Sequence, residues 1–314
     1  MRLVYFGTSE YASAILEVLA ASRHQVLLAV TQPDKPKGRG HHVEHTPVKK
    51  TAMERGIDII QPLTVNDEDT RERLREADAD LFVVVSFGSL LKRELLEVSP
   101  LPPINVHPSL LPKYRGAAPM ERALMAGEKE SGVTIMEMTE ALDAGPILLQ
   151  QTIPIQDSWN QGDLNKVLAE AGGQLLLQAL DGLEAGSLKG KLQDEAAHTY
   201  ARKIRREEKY LDFSLHAVDL SNQIRGLVPR SVPMVLFRER LLGLLEGMPD
   251  KRYDPAKEPG SILEIDREKG ILVNCKDSSL WISRVKPEGK KEMAARDFIN
   301  GSRLQLGELL KSRT

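Results

Sequence analysis

A single cysteine, Cys275, stands in 314 residues. One thiol cannot close an internal disulfide, and no CxxC or Cys/His cluster offers a structural zinc site. A reducing cytoplasm is the expected setting. No apolar run approaches the roughly 20 residues of a bilayer span, so no membrane is expected. The opening MRLVYFGTSEYA lacks an apolar h-region and a cleavage pattern, and it reads as a buried strand rather than a signal peptide. No GxGxxG follows that strand, where the text is GTSEYA, which disfavours a dinucleotide cofactor. No GxxxxGK[ST] occurs, which argues against a P-loop nucleotidase. Cys275 has no neighbouring His in sequence, so a Cys nucleophile is not expected. There is no internal repeat and no low-complexity segment.

What remains is a chain with 41% hydrophobic and 28% charged residues and a net charge of −2. That composition is globular, and the length suggests two domains. The charge is uneven. Residues 1–200 carry 20 Lys+Arg against 28 Asp+Glu, a net of −8, while residues 201–314 carry 23 against 17, a net of +6. A basic second half hints at a polyanionic partner.

The first half alternates strand and helix. RLVYFGT, QVLLAVT, GIDIIQP, DLFVVVSFG and INVH read as strands. SEYASAILEVLAAS, a helix from Pro47 and DEDTRERLREA read as helices between them. This rhythm predicts an α/β domain with a Rossmann-like, doubly wound, mostly parallel sheet whose sites lie at the carboxyl ends of its strands. GVTIMEM and PILLQQTIPI add strands of mixed direction, and QGDLNKVLAEAGGQLLLQALDGL is a long closing helix. A catalytic domain over 1–188, with an inserted loop at 32–46, is followed by a linker at 189–206. From 207 to 314, one helix (LHAVDLSNQIRGL) precedes short β-like runs, which predicts a small OB-like antiparallel β-barrel. The helix ARDFINGSR comes last.

His41, His42 and His45 crowd the inserted loop, but no carboxylate or thiol spacing completes a coordination set, so no metal is expected. Lys35, Lys37 and Arg39 share that loop. Arg39 sits between Gly38 and Gly40, a flexible basic tip suited to clamping phosphates. Asn105 and His107 fall on one face of a strand by the two-residue period. An Asn amide and an imidazolium are suitable donors to an oxyanion developing on a carbonyl. Asp143, in ALDAGPI, would orient the His and favour its charged form. Taken alone, each has a structural reading as turn, cap or crevice filler. Together they suggest carbonyl-centred group transfer, and the residues by themselves go no further.

INVHPSLLPKYRGAAP with GVTIMEMTEALDAGPIL resembles the signature of the folate-dependent formyltransferases. The resemblance implies that Asn105, His107 and Asp143 form the catalytic set. It implies that Ser109, Leu110, Leu111 and Pro112 line the folate site, and that Ser86, Phe87 and Gly88 border the pterin. TQPDKPKGRG followed by TPVKKTA, and DEAAHTYARKIRREEKYLDFS with VKPEGKKEMAARDFINGSR, are similar to the members of that family that act on methionyl-tRNA. This implies 10-formyltetrahydrofolate as co-substrate and initiator methionyl-tRNA as partner. Lys35, Lys37, Arg39, Arg202, Lys203, Arg205 and Arg206 would be tRNA contacts, with a monomer and no obligate protein partner as default. Phe87 replaces a common Tyr, and LVPRSVPMVLF departs from the family's usual turn into the barrel. The alternative is a formyltransferase of a small amine, such as a nucleotide precursor or amino sugar. A reading from a different class is a non-catalytic RNA-binding protein with a degenerate α/β domain.

Overall fold

The computed structural model describes residues 1–37 and 42–312. The chain begins β1 (Arg2–Gly7), α1 (Glu10–Ala20), β2 (Gln25–Val30), β3 (Lys35–Lys37), β4 (His42–Glu44), α2 (Pro47–Glu54) and β5 (Asp58–Ile60). It continues α3 (Glu68–Glu76), β6 (Leu81–Val85), α4 (Arg93–Leu96), β7 (Ile104–His107), β8 (Arg115–Gly116), α5 (Pro119–Met125), β9 (Glu130–Glu137) and β10 (Ile147–Pro154). Then come α6 (Gln161–Glu184), β11 (Tyr200–Ala201), α7 (Ala217–Leu227), β12 (Met234–Phe237), β13 (Arg240–Asp250), β14 (Ile262–Asp266) and β15 (Gly270–Asn274). The last elements are β16 (Ser279–Pro287), β17 (Met293–Ala294), α8 (Ala295–Ser302) and β18 (Leu310–Lys311).

Two compact units result. The first takes in Met1–Ala117, Glu130–Pro154 and Asn165–Ala201, and the second takes in Ala118–Lys129, Ile155–Leu164 and the chain from Arg202 onward.

The first unit is built on a sheet of order β10-β9-β7-β6-β1-β2-β5. β1, β2, β5, β6 and β7 run parallel, and β9 lies antiparallel to both β7 and β10. β6 reads LFVVV and is buried at every position, as a strand covered on both faces requires. Val4, Phe6, Phe82 and Val84 pack with Leu74 and Leu95 on one side. The intervening Tyr5 points the other way, where its hydroxyl donates to the Ala12 carbonyl at 2.6 Å. The helices start on chemistry their sequences announce: Ser9, Thr46 and Asp67 each accept from a backbone N–H in the first turn. Paired glycines let α6 approach closely. A Cβ at Gly172 would stand 3.0 Å from the Tyr11 hydroxyl, and one at Gly173 would stand 2.9 Å from Val18. No helix among the described residues is long and apolar enough to cross a membrane.

The strand order reverses beside β1, which has β2 on one flank and β6 on the other. The crevice beyond the carboxyl ends of such strands is where α/β sheets place their sites. β7 is the next strand out from β6.

The second unit holds an antiparallel sheet of order β14-β15-β16-β13-β12-β18, with β17 on β16. β12 and β13 are joined by Arg238 and Glu239, both at positive φ (47° and 62°), the geometry that matches the right-handed twist of a hairpin. The sheet's two ends meet at a Ser261–Leu309 bridge, with Ile262 N–H donating to the Glu308 carbonyl at 2.8 Å and Leu310 N–H to the Gly260 carbonyl at 2.9 Å. Leu244, Val273, Ile282 and Val285 fill the interior, with Leu220 and Ile224 of α7 and Phe298 of α8. Cys275 is buried in this core, and burial pushes its thiol up to about 12.

Four stretches differ from the sequence expectation. The inserted segment 32–46 is not all loop: β3 and β4 pair as an antiparallel hairpin, Lys35 opposite Glu44. The stretch expected as a linker, 189–206, is woven into the first unit up to Ala201. Lys191 bridges Ile147 with mutual 2.8 Å hydrogen bonds, and β11 pairs in parallel with β8. Backbone pairing, which composition does not register, holds it there. The segments 118–129 and 155–164, expected within the first domain, group with the second unit.

Candidate active site

Asn105 and His107 stand on one face of β7, at its carboxyl end. The strand is fixed between β6, where Asn105 pairs with Val84, and β9, where His107 pairs with Thr134. Asp143 comes from the loop between β9 and β10 and adopts φ of 50°. All three side chains converge. Asn105 Nδ2 donates to Asp143 Oδ1 at 3.3 Å. Asp143 Oδ2 accepts from Gly116 N–H at 2.7 Å and lies 3.7 Å from His107 Nδ1. His107 Nε2 faces the Tyr114 carbonyl at 3.0 Å. A carbonyl can only accept, so Nε2 carries a proton. His107 is buried and Asn105 half-buried, so the Asn amide is the more open of the two donors.

Backbone strain gathers at this place. Ser86, Tyr114 and Asp143 all take positive φ without being glycine (43°, 63° and 50°). Such conformations persist only where their surroundings over-determine them, and they cluster at working sites.

The Ser109–Pro112 segment is pinned from beneath. Ser109 Oγ donates to the Lys113 carbonyl at 2.7 Å, and Thr134 Oγ1 donates to the Ser109 carbonyl at 2.7 Å. Gln150 Nε2 donates to the Leu111 carbonyl at 2.7 Å. Ser109 and Leu111 are buried, Leu110 and Pro112 half-buried, and the Leu111–Pro112 peptide is cis. Gly132 admits this segment, since a Cβ there would meet Leu110 at 2.5 Å. At the end of β6, Ser86 and Gly88 are exposed. Phe87 is instead a core residue, edge-on to Phe6 at 5.5 Å, and its carbonyl accepts from Thr8. Of that tripeptide, the two flanking residues are the ones open to a ligand.

Among the expected polyanion contacts, Lys35 and Lys37 lie on β3, and Arg39 lies outside the described residues. Arg202, Lys203, Arg205 and Arg206 are all exposed in the second unit, and Arg205 has Glu207 at 3.8 Å. The hairpin's base is held by Asp34, which accepts from Lys49 Nζ at 2.6 Å, His45 Nδ1 at 2.7 Å and Gln61 Nε2 at 2.8 Å. Burial works to raise the Asp34 carboxyl, but these hydrogen bonds outweigh it and hold the group well below the usual carboxylate range.

Sequence reasoning passed over Tyr114, Gly116 and Thr134, which act through a carbonyl, an N–H and a hydroxyl. It also passed over Arg115, a guanidinium only 2% exposed beside the site. The Tyr-Arg-Gly text after SLLPK is the one available signal for the first two of these and for Arg115. A charged residue between a strained position and a glycine, one step from the catalytic strand, suggests more than solvation.

Comparison with known proteins gives a consistent pattern. Residues 1–180 match the family model described as formyl transferase, and residues 203–303 match the model for the formyl transferase C-terminal domain. Over 310 residues the chain is 39% identical to the methionyl-tRNA formyltransferase of Dictyoglomus turgidum, covering 98% of each chain. It is 41% identical over 308 residues to that of Carboxydothermus hydrogenoformans, covering 98% of this chain and 99% of the relative. Among solved structures, the N-formyltransferase of Helicobacter canadensis, in complex with folinic acid and dTDP-3-aminofucose, superposes with a TM-score of 0.68. It is 19% identical, covers 89% of this chain and 98% of its own, and at that identity speaks for the fold alone.

Proposed function

Since the chain belongs to the formyl transferase family, we propose that it moves the formyl group of 10-formyltetrahydrofolate onto the α-amino group of methionyl-initiator tRNA. The observation that carries this reading is end-to-end likeness to methionyl-tRNA formyltransferases, which takes in the hairpin and the barrel as well as the catalytic sheet.

The neutral amine attacks the formyl carbon. A C–N bond forms, the formyl oxygen becomes an oxyanion, and the bond to N10 of the folate then breaks. Asn105 Nδ2 has a second N–H beyond the one given to Asp143, and it donates to that oxyanion. One such donor is typically worth roughly 2.7–4 kcal/mol of barrier. His107 joins by exchanging the Tyr114 carbonyl for the developing charge. The Asp143 carboxylate holds both donors in place and accepts the proton the amine sheds, directly or through water. That proton ends on N10 of the departing tetrahydrofolate. Ser86, Gly88 and the pinned Ser109–Pro112 segment form the folate wall. The basic hairpin and Arg202, Lys203, Arg205 and Arg206 hold tRNA phosphates.

The test is to incubate the protein with formyl donor and methionyl-tRNA, with free small amines, or with no acceptor, while tetrahydrofolate release is followed. Release that depends on methionyl-tRNA is expected. Release with small amines alone would transfer the assignment to that class, and release with neither would sink it.

A further inference from the structure

Arg115 is a buried cation whose guanidinium is hydrogen-bonded on one side to Gln193, next to the Asp143 loop, and on the other to the more exposed Glu195. Its Nε and one terminal nitrogen donate to Gln193 Oε1, at 3.1 and 2.8 Å. Its terminal nitrogens also donate to both oxygens of Glu195, at 3.2 and 2.8 Å. A desolvated guanidinium is expensive unless fully hydrogen-bonded, and here four contacts do that work. They also leave Gln193 no choice of orientation. With Oε1 committed to Arg115, Nε2 must point the other way, and it donates to the Asp143 carbonyl at 2.9 Å and to the Gly145 carbonyl at 2.8 Å.

These two bonds hold the strained residue's own carbonyl and the carbonyl two positions after it. Asp143 sits at φ of 50°, a left-handed conformation that a residue with a Cβ keeps only where its surroundings hold it. Left alone, the loop would relax, and the carboxylate would swing off Gly116, Asn105 and His107. The same strand segment acts from a second side. Arg115 N–H donates to the Thr199 carbonyl and Ala117 N–H to the Ala201 carbonyl, both at 2.9 Å, while Tyr114 N–H donates to Thr199 Oγ1 at 2.9 Å. The residues flanking β8 thus fix the Tyr114 carbonyl and the Gly116 N–H, the two backbone partners of His107 and Asp143.

We propose that Gln193, locked by Arg115, is a positioning residue that holds the Asp143 loop in its active conformation, and that 193–201 is part of the active site's support rather than a connector. This rests on the functional reading above, and the experiment separates the two. Gln193→Glu keeps an oxygen for Arg115 and puts an acceptor where the two carbonyls need a donor. Its kcat is expected to fall at least tenfold while KM for methionyl-tRNA and for the folate each stay within about twofold. A variant that turns over like the parent, or that loses only through KM, overturns the proposal. Should Gln193→Glu not fold, Gln193→Met, of similar length and without polar atoms, takes its place with the same expectation. Hydrogen exchange is followed in parallel: faster exchange across 141–146 with β7 unchanged is expected, and unchanged exchange across 141–146 overturns the proposal. If the parent itself does not formylate methionyl-tRNA, the functional reading fails, and the exchange result still decides the positioning claim.

Discussion

At the residue scale, Asn105 is the half-buried member of a trio whose other donor is enclosed, so its removal is the cleanest probe of oxyanion stabilisation. Asn105→Ala is expected to lower kcat by about 10²–10³-fold. Equilibrium binding of tetrahydrofolate should stay near the parent value, because the amide is aimed at charge that develops only during reaction. A loss confined to folate binding would refute the role. Asn105 and His107 were legible because a strand has a period of two, which puts both on one face whatever the rest of the fold does. Asp143 was legible as a possible partner for His107, with a turn-forming role as the competing reading, and the family likeness implied its place in the catalytic set. Arg115 left only the faint Tyr-Arg-Gly signal, and Gln193 and the pairing of the two were not legible. They lie 78 positions apart, and Gln193 speaks to the site through backbone carbonyls, which carry no residue identity.

At the scale of elements, Asp34 staples the hairpin base to α2 and to the end of β5. The Asp34 carboxyl is held low, so its stabilising contribution is fully present above the unfolded value of about 3.9 and is lost as pH falls through the lower folded value. The Tm difference between parent and Asp34→Asn is therefore expected to be flat from about pH 5 to 8 and to shrink below about pH 4. A difference that grows on acidification would contradict the assignment. A second element-level prediction concerns the Asp143 loop. A Cβ at Gly145 would stand 1.8 Å from the Glu137 carbonyl, a backbone atom with little freedom to yield. Gly145→Ala is expected to destabilise the first unit by about 1–3 kcal/mol in denaturant unfolding and to reduce turnover in the material that remains folded. The βαβ rhythm was readable because buried parallel strands write themselves as apolar runs. KPK and HVE did not read as strands, since a two-stranded hairpin needs no apolar face. The turn KYRGAAP hid β8 for the same reason: its pairing partner is a polar stretch about 85 residues on.

At the scale of the whole molecule, the uneven charge becomes a testable property. If exposed Arg202 and Lys203 neutralise tRNA phosphates, log KM for methionyl-tRNA should rise steeply with log salt. Replacing each by Ala should reduce that slope by about 1 per residue, while KM for the folate stays insensitive. Equal salt slopes in parent and variants would remove these residues from the interface. The barrel was expected from its short runs and turns. Its seam was not, because the bridge joins Ser261, at the start of the β-like run SILEI, to Leu309, in a stretch after the last helix that reads as no strand. That seam also sets a timetable for synthesis. A sheet closed by residues 308–310 stays open at two edges while the ribosome still holds them, so the second unit can finish folding only after that stretch has cleared the exit tunnel. A chain cut short just before Glu308 would keep those edges for good, and unpaired strand edges recruit other chains. Such a product is expected to sediment as aggregate on expression where the full chain stays in the supernatant, and an equally dispersed truncated chain would contradict this.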